Sequence, residues 1–290
     1  MKLLVKFNLA FVIVFALGLA IAGSVARNLL RQNAQQEVVD RANLLMEKAV
    51  VVSAYTTKQI APLLETQMKY SFLPQSVPQY SATEVLASLR GKYPDYSYKP
   101  AMLNPTNPRD RAVEWEADII TQFRNDPERT EFIGQRDTPS GRALYIARSI
   151  KIVNPACLAC HSTPAAAPKT LVDHYGPNNG FGWTLNEPIG AHIVSVPLAI
   201  PLAQADRALF TVMALLGAVF VLIGVALNLM LWRLVIRPVT QLSSLADRVS
   251  LGELEAPEFT VRSKDEIGTL AESFARMRKS LVHAMKLLDT

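Results

Sequence analysis

The stretch Cys157-Leu158-Ala159-Cys160-His161 contains both cysteines of this 290-residue chain, and a histidine directly follows the second cysteine. This spacing is typical of covalent haem attachment, because each of the two thiols can add to one vinyl group at the porphyrin edge. The next residue is then carried under the iron and can donate a ring nitrogen to it. The stretch therefore predicts one haem c per chain, attached through Cys157 and Cys160, with His161 as an iron ligand.

Other uses of two cysteines match this stretch less well. A redox dithiol pair usually opens a helix after a strand and does not need the histidine. A zinc site needs about four ligands, whereas His174, His192 and His283 are scattered without ligand spacing. A plain disulfide or a chance match completes the alternatives.

Two long apolar runs, residues 7–25 and 208–232, predict a membrane protein with two transmembrane helices. Each run is long enough to cross the hydrocarbon core, which needs about 20 residues. A cleaved signal peptide is the alternative for the first run, but the apolar part of a signal peptide usually has only about 7–15 residues. The net charge is +5, and no basic run is interleaved with aromatic residues. The membrane is therefore an expected partner and nucleic acid is not.

Residues 233–288 resemble a HAMP domain, the helical signalling linker of bacterial receptors. Arg237-Pro238-Val239 opens the segment, Gly252-Glu253-Leu254 marks the connector, and Asp265-Glu266-Ile267-Gly268 begins the second helix. Narrow apolar seams with heptad-like spacing predict a parallel four-helix bundle formed by two chains, with a generic coiled coil as the alternative. The seam residues are Leu242, Leu245 and Val249 in the first helix, and Ile267, Leu270, Phe274, Met277 and Leu281 in the second.

Because HAMP domains are cytoplasmic, the resemblance implies the sidedness of the whole chain. Residues 1–6 and 233–288 are expected in the cytoplasm and residues 27–207 in the periplasm, where c-type haem is attached. The protein is thus expected in a bacterial inner membrane, as a homodimer through its HAMP segment. If the chain ends at Thr290, the signal passes to a separate cytoplasmic signalling protein.

The segment between the two spans reads as an α+β domain that begins with a long helix. Apolar residues recur at helical spacing over residues 29–65, and Pro62 begins the series of prolines expected to end this helix. Residues 93–108 are expected to form a proline-rich loop, and Ser140-Gly141 a hairpin turn. Further helices are predicted at 84–89 and 112–123, and strands at 131–136, 143–153 and 189–198.

Residues 37–200 are similar to the bacterial single-haem c-type sensor domains that have a PAS-like fold. The resemblance implies an α+β PAS-like periplasmic domain with a long N-terminal helix and one covalent haem. Its matching stretches, besides the cysteine–histidine motif, are Asn104-Pro105-Thr106-Asn107-Pro108-Arg109-Asp110-Arg111-Ala112, Trp115-Glu116, Tyr175-Gly176-Pro177-Asn178-Asn179-Gly180-Phe181-Gly182-Trp183, Gly190-Ala191-His192 and Val194-Ser195-Val196-Pro197.

The second axial ligand of the haem is left open by this resemblance. At least one member of the family uses a cysteine on the long helix, but this chain has no cysteine beyond the attachment pair. Met46 lies in a similar region and a thioether can bind haem iron, although a core methionine is the commoner use. Tyr55, Met68, His192 and an open position are further alternatives.

Other side chains are candidates for the haem pocket. Arg109, Arg136 and Arg142 can pair with haem propionates, since Arg suits bidentate recognition of carboxylates. Each can equally be a solvated surface charge. Phe181 and Trp183 are candidates for the pocket wall, although glycines and aromatics in such a stretch also serve turns and core packing.

Two functions are compatible with this sequence. The first is a sensor, in which the haem detects its redox state or a diatomic gas and the signal passes through the HAMP segment. The alternative is a membrane-anchored periplasmic cytochrome for single-electron transfer, which needs an anchor but no signalling linker. No acid/base pair can be identified beside the motif, so an enzyme such as a peroxidase is not expected.

Overall fold

The computed structural model describes residues 3–253 and 265–288, so Leu254 of the expected connector lies outside the described residues. The chain divides into two compact units. One unit consists of Arg27–Ala208, and the other combines Met1–Ala26 with Leu209–Thr290.

A four-stranded antiparallel sheet forms the centre of the unit Arg27–Ala208. The strands are β1 (Ser97–Met102), β2 (Glu131–Thr138), β3 (Gly141–Lys151) and β4 (Pro188–Pro197), in the spatial order β1-β4-β3-β2. A tight hairpin joins β2 to β3, with Thr138 paired to Gly141. The three strands and the turn predicted from the sequence are therefore confirmed, with boundaries that differ by about two residues, which is within the usual uncertainty of element ends.

The expectation that residues 93–108 form only a loop is wrong, because β1 lies inside that range. β1 is an edge strand that pairs with β4 alone, and Pro100 lies opposite His192. A proline lacks the backbone N–H that a central strand needs, but an edge strand can accommodate it. The prolines of this segment therefore led to the prediction of a loop where the chain forms an edge strand.

Helices cover both faces of the sheet. The predicted long helix, α1 (Leu3–Tyr55), packs on one face, and α4 (Glu114–Asn125) packs on the other. Because successive side chains of a strand point to opposite faces, the two central strands β3 and β4 contribute buried residues to both cores. The first core contains Val38, Ala42, Met46, Leu144, Ile146, Val194, Val196 and Leu198, and the second contains Ala101, Ile119, Ile120, Phe123, Ala147, Ala191 and Ile193.

The long helix continues slightly beyond its expected end at residue 65. A π-helical turn at Thr56–Ile60 leads directly into α2 (Ala61–Met68), in which Pro62 occupies the first turn. The first N–H groups of a helix have no intrahelical partner, so a proline there removes no hydrogen bond. The helical rod consequently extends to Met68.

The remaining helices connect these elements. Helix α3 (Pro78–Ala87) begins six residues before the expected start at residue 84, because a proline is well suited to a helix start. The described helices of this unit also include α5 (Leu158–His161) and α6 (Lys169–Tyr175), and α7 (Ala199–Leu231) begins directly after β4.

The other unit contains the apolar helices. Two helices of the described chain are long and apolar enough to cross a membrane, with mean hydropathy of 2.6 and 2.7 in their most apolar windows. Within this unit, Asn8 and Asn228 exchange side-chain hydrogen bonds of 2.8 and 2.7 Å, and Phe15 packs against Phe220.

The segments that follow the second apolar helix are also helical. A π-helical turn (Trp232–Ile236) leads into α8 (Arg237–Ser250), and α9 (Glu266–Leu288) follows after the undescribed residues. Leu242 and Val249 of the predicted seam are buried within the single chain. By contrast, the seam residues Leu270, Met277 and Leu281 of α9 are 45–59 % exposed.

A glycine-rich loop between α6 and β4 packs against the segment that follows β1. Gly180 and Gly182 both have positive φ, at 83° and 78°. A Cβ atom at Gly180 would lie 2.0 Å from Oγ1 and 2.8 Å from Cα of Thr106, whereas a Cβ at Gly182 would meet nothing within 4 Å. The loop can approach Thr106 only because residue 180 lacks a side chain.

These two glycines form a matched pair for a stability test. Gly182→Ala should lower the free energy of unfolding by about 1–2 kcal/mol, the cost of a left-handed backbone for a residue with a Cβ. Gly180→Ala should cost about 1–3 kcal/mol more, because the new methyl group also collides with Thr106. Thermal unfolding of the full chain would measure both, and equal losses would contradict the close approach of the two segments.

Candidate functional site

The cysteine–histidine motif lies on a short helical segment just beyond the end of β3. Asn154 begins this segment: its side chain accepts a hydrogen bond from the Ala156 N–H at 3.0 Å, and its carbonyl accepts one from the Cys157 N–H at 3.0 Å. A single turn of 3-10 helix, Pro155–Cys157, then continues into α5. No disulfide joins the two cysteines, and both are half-buried, so both side chains can be reached from outside.

His161 is held in one orientation. Its Nδ1 atom lies 2.7 Å from the carbonyl oxygen of Gly180, and its ring stacks on Trp183 with a centroid distance of 3.9 Å and an interplanar angle of 16°. A carbonyl oxygen only accepts hydrogen bonds, so Nδ1 carries the proton and Nε2 is the nitrogen with a free lone pair. The pKa of His161 is lowered overall, because the effect of burial is larger than the opposing effect of the hydrogen bond to Gly180. The neutral ring can thus bind a metal through Nε2.

The Gly180 carbonyl is itself held in place by Asn104. The Asn104 side chain accepts a hydrogen bond from the Gly180 N–H and donates one to the Phe181 carbonyl, each at 3.2 Å. Thr106 Oγ1 also lies 3.4 Å from His161 Nδ1. Outer-shell partners of this kind fix the ring orientation and tautomer of a metal-binding histidine.

An apolar cluster surrounds the motif. Cys157, Leu158 and Trp183 pack against a buried group that consists of Met102, Ile150, Ile152 and Ile189. The pKa of the Cys160 thiol is raised, mainly by burial and to a smaller extent by the nearby Cys157. The described residues contain no group of three or more His, Cys, Asp or Glu side chains that could hold a metal ion among themselves. Two thiols, a neutral imidazole and apolar surroundings fit a haem c better than a bare metal ion.

The candidate second axial ligands lie at different places. Met46 is fully buried in the core beneath α1, while Tyr55 is 59 % exposed near the end of that helix. Met68 Sδ accepts hydrogen bonds from the Leu73 N–H at 3.0 Å and the Ser76 hydroxyl at 3.3 Å. None of the three belongs to the apolar cluster around Cys157.

His192 lies on the same face of the sheet as part of the apolar cluster. It pairs with Pro100, two residues along β1 from Met102, which is a distance of about 7 Å in a strand. Its Nδ1 atom lies 2.8 Å from the Tyr98 hydroxyl. Burial, and then the charge of Arg148, lowers the pKa of His192 to about 4.

The three arginines predicted as partners of the haem propionates lie in two different parts of the structure. Arg109 follows the loop that contains Thr106, lies 4.5 Å from the Tyr80 ring and pairs with Glu84. Arg136 and Arg142 instead lie at the hairpin end of the sheet, opposite Ala143 and Asp137 respectively. The length of β3, about 30 Å, separates that end from the motif. We therefore leave Arg136 and Arg142 out of the haem site.

Sequence reasoning assigned no site role to Asn104, Thr106 and Gly180. Asn104 and Gly180 are separated by 76 residues, and Thr106 and His161 by 55. All three lie in stretches that resemble the haem sensor domains, and Gly180 lies among aromatic residues, which indicates a close backbone approach but not its partner. Trp183, which was proposed as a pocket wall, does lie against the His161 ring, whereas Phe181 contributes its carbonyl oxygen.

Comparisons with known proteins match this architecture. Residues 230–283 match the HAMP domain, so the HAMP resemblance is confirmed. A sensory transducer protein of Acetivibrio thermocellus is 39% identical over 71 residues, which are 24% of this chain and 13% of that protein. The chain thus spans about one eighth of that relative's length.

A solved structure and a family match relate to the unit with the sheet. The crystal structure of the cyanobacterial heme-protein Tll0287 is 15% identical, with a TM-score of 0.38, and the alignment covers 57% of this chain and 91% of that one. The Tll0287-like family matches residues 31–197. Because this match spans more than half of the chain, the protein belongs to the Tll0287-like family.

Proposed function

We propose that this protein is a transmembrane receptor, rather than an enzyme, that uses one covalent haem c as its sensing group. Cys157 and Cys160 would each add a thiol across one vinyl group, and His161 would bind the iron through Nε2. The observation that carries this proposal is the hydrogen bond of 2.7 Å between His161 Nδ1 and the Gly180 carbonyl, which leaves Nε2 free. The family relation, the HAMP match and the related sensory transducer support the signalling role.

The chain's own residues would prepare this site. Gly180 holds the proton on Nδ1, and Asn104 keeps the Gly180 carbonyl aligned. The apolar cluster around Cys157 excludes water from one side of the motif. Haem supplies a one-electron couple and, where the iron has an open position, a site for a diatomic gas. Redox state or such a gas is the proposed stimulus.

A polar contact links the strand that leads into the motif to the long helix. Arg148 of β3 donates hydrogen bonds to Glu47 at 2.6 Å and to Asn43 at 3.1 Å, both on α1. It also donates to Glu131 of β2 at 2.7 Å. A change at the motif can reach α1 through this contact if the two haem states differ in their interactions with the chain.

The proposed topology follows from the two apolar helices and the HAMP match. Residues 7–25 and 208–232 would cross a bacterial inner membrane, with residues 27–207 in the periplasm. Residues 1–6 and the HAMP segment 233–288 would be cytoplasmic. The exposed apolar stripe of α9, represented by Leu270, Met277 and Leu281, would be buried against a second copy of the chain. The dimer would signal to a separate cytoplasmic protein.

One observation favours the second candidate, a membrane-anchored electron carrier. Both cysteines are half-buried rather than enclosed, so a haem attached there would present an edge at the surface. A carrier needs such an edge for electron exchange, and it does not need a response in α9. The two functions therefore differ in what happens at the cytoplasmic helix.

A cross-linking experiment separates these functions and tests the dimer. In Leu270→Cys, a thiol replaces a seam residue that is 49 % exposed in the single chain. In the control Glu272→Cys, the thiol lies two positions away on another face of the helix. We expect a bifunctional maleimide to join two copies of Leu270→Cys in membranes, and Glu272→Cys several-fold less.

The same experiment reports signalling when the haem is poised oxidised or reduced before cross-linking. A receptor should change its cross-linking yield by at least about twofold, since typical coupling energies of 1–3 kcal/mol shift equilibria about 5–150-fold. A yield that is independent of haem state and of added carbon monoxide or nitric oxide, with rapid electron exchange to a soluble cytochrome, would favour the carrier. Equal yields at both positions would contradict the dimer.

Substitution of Met46 tests its role. We expect Met46→Leu to cost less than about 1.5 kcal/mol because the volume is conserved, and Met46→Ala about 2–5 kcal/mol because a cavity remains. Both variants should keep the wild-type absorption spectrum, since Met46 packs among Val38, Ile146 and Val194. A changed spectrum in stable Met46→Leu would instead assign Met46 to the iron.

A further inference from the structure

We propose that the hairpin end of the sheet is a second ligand site, which binds a small organic carboxylate. A cavity of about 140 Å³ lies there, among the β2–β3 hairpin, the end of β4 and the segment before β1. Three arginines, Arg90, Arg136 and Arg142, are among its lining residues. This site is separate from the proposed haem site, because the length of β3 lies between them.

Two of the three guanidinium groups have no carboxylate partner among the described residues. Arg136 lies over the Trp115 ring at 4.3 Å, and this stacking holds its stem while its N–H groups stay available. Arg90 forms no ion pair with a described residue. Arg142 pairs with Asp137 at 3.6 Å, but the two side chains are 61% and 88% exposed, so this pair contributes little. The cavity thus has unused capacity for a bidentate oxyanion.

The floor of the cavity is a polar patch on an otherwise apolar sheet face. On the face covered by α4, β4 presents Ala191 and Ile193 to the core and then Ser195, which lines the cavity and is only 8 % exposed. Trp115, in the first turn of α4, marks the end of the covered area. Polar side chains replace apolar ones at the point where the helix no longer covers the sheet.

The other lining residues favour a carboxylate over a simple inorganic anion. Pro94, Ala143 and Pro197 supply apolar surface for a short carbon skeleton. Asp95 also lines the cavity and reduces its positive charge, which disfavours a multiply charged phosphate. The volume equals roughly four or five waters at about 30 Å³ each, so a ligand of two to four carbons fits.

Titration calorimetry of the full-length protein in detergent tests this site. Sodium acetate, malonate and succinate are the probes, with inorganic phosphate as the competing oxyanion, all at constant ionic strength. We expect at least one carboxylate to saturate the protein, and Arg136→Gln to weaken its binding at least about tenfold. Arg90→Gln, at an exposed position on the rim, is a second variant that should weaken binding without disturbing the core.

Arg129→Gln is the matched control, because Arg129 also stacks over an aromatic ring, that of Phe132 at 3.7 Å, but does not line the cavity. It should bind the carboxylate as the wild type does. The proposal is overturned if none of the three carboxylates saturates below about 10 mM. It is also overturned if phosphate binds more tightly than all of them, or if the Arg90 and Arg136 variants bind as well as Arg129→Gln.

Discussion

The hydrogen bond from His161 Nδ1 to the Gly180 carbonyl is the contact on which the site depends. It determines which ring nitrogen of His161 is free, and therefore what the residue after Cys160 can bind. It exists only because the glycine-rich loop approaches Thr106 more closely than any residue with a Cβ could. Asn104 then holds the two peptide groups that flank the one carrying the accepting oxygen. A local sequence motif is thus completed by a backbone atom from a distant loop.

The sheet links this site to the rest of its unit. β3 ends next to the cysteines, and Arg148 in the same strand holds Glu47 and Asn43 of α1. At the other end of β3, the sheet presents the arginines around the polar cavity. One strand therefore contacts the proposed haem segment, the long helix and the proposed carboxylate site. Both ligands, if bound, would act on the same rigid element.

Local patterns in the sequence were sufficient for much of this architecture. The apolar runs, the alternation in β2, β3 and β4, and the spacing of the two cysteines and His161 each depend on neighbouring residues. β1 was not predicted because Pro100 argues against a central strand. Only its pairing with β4 shows that it is an edge strand. The predicted helix over residues 29–65 already includes Pro62, but no short pattern indicates the π-helical turn at Thr56–Ile60.

The supporting residues of the site could not be predicted for a different physical reason. Asn104 and Gly180 meet through tertiary packing across 76 residues, and neither residue type signals its partner. For the arginines, by contrast, the sequence suggested a site role that the fold does not support. Arg136 and Arg142 have the right chemistry for propionates, but the direction of β3 places them at the far end of the sheet. Residue type identified the chemistry, and only the fold could identify the location.

Covalent haem attachment is tested by the absorption spectrum and mass of the denatured full-length chain, purified from cells that attach c-type haem. We predict that one haem remains bound to the unfolded polypeptide, through Cys157 and Cys160. Haem that is released on denaturation, or a chain that carries none, would contradict covalent attachment at these cysteines.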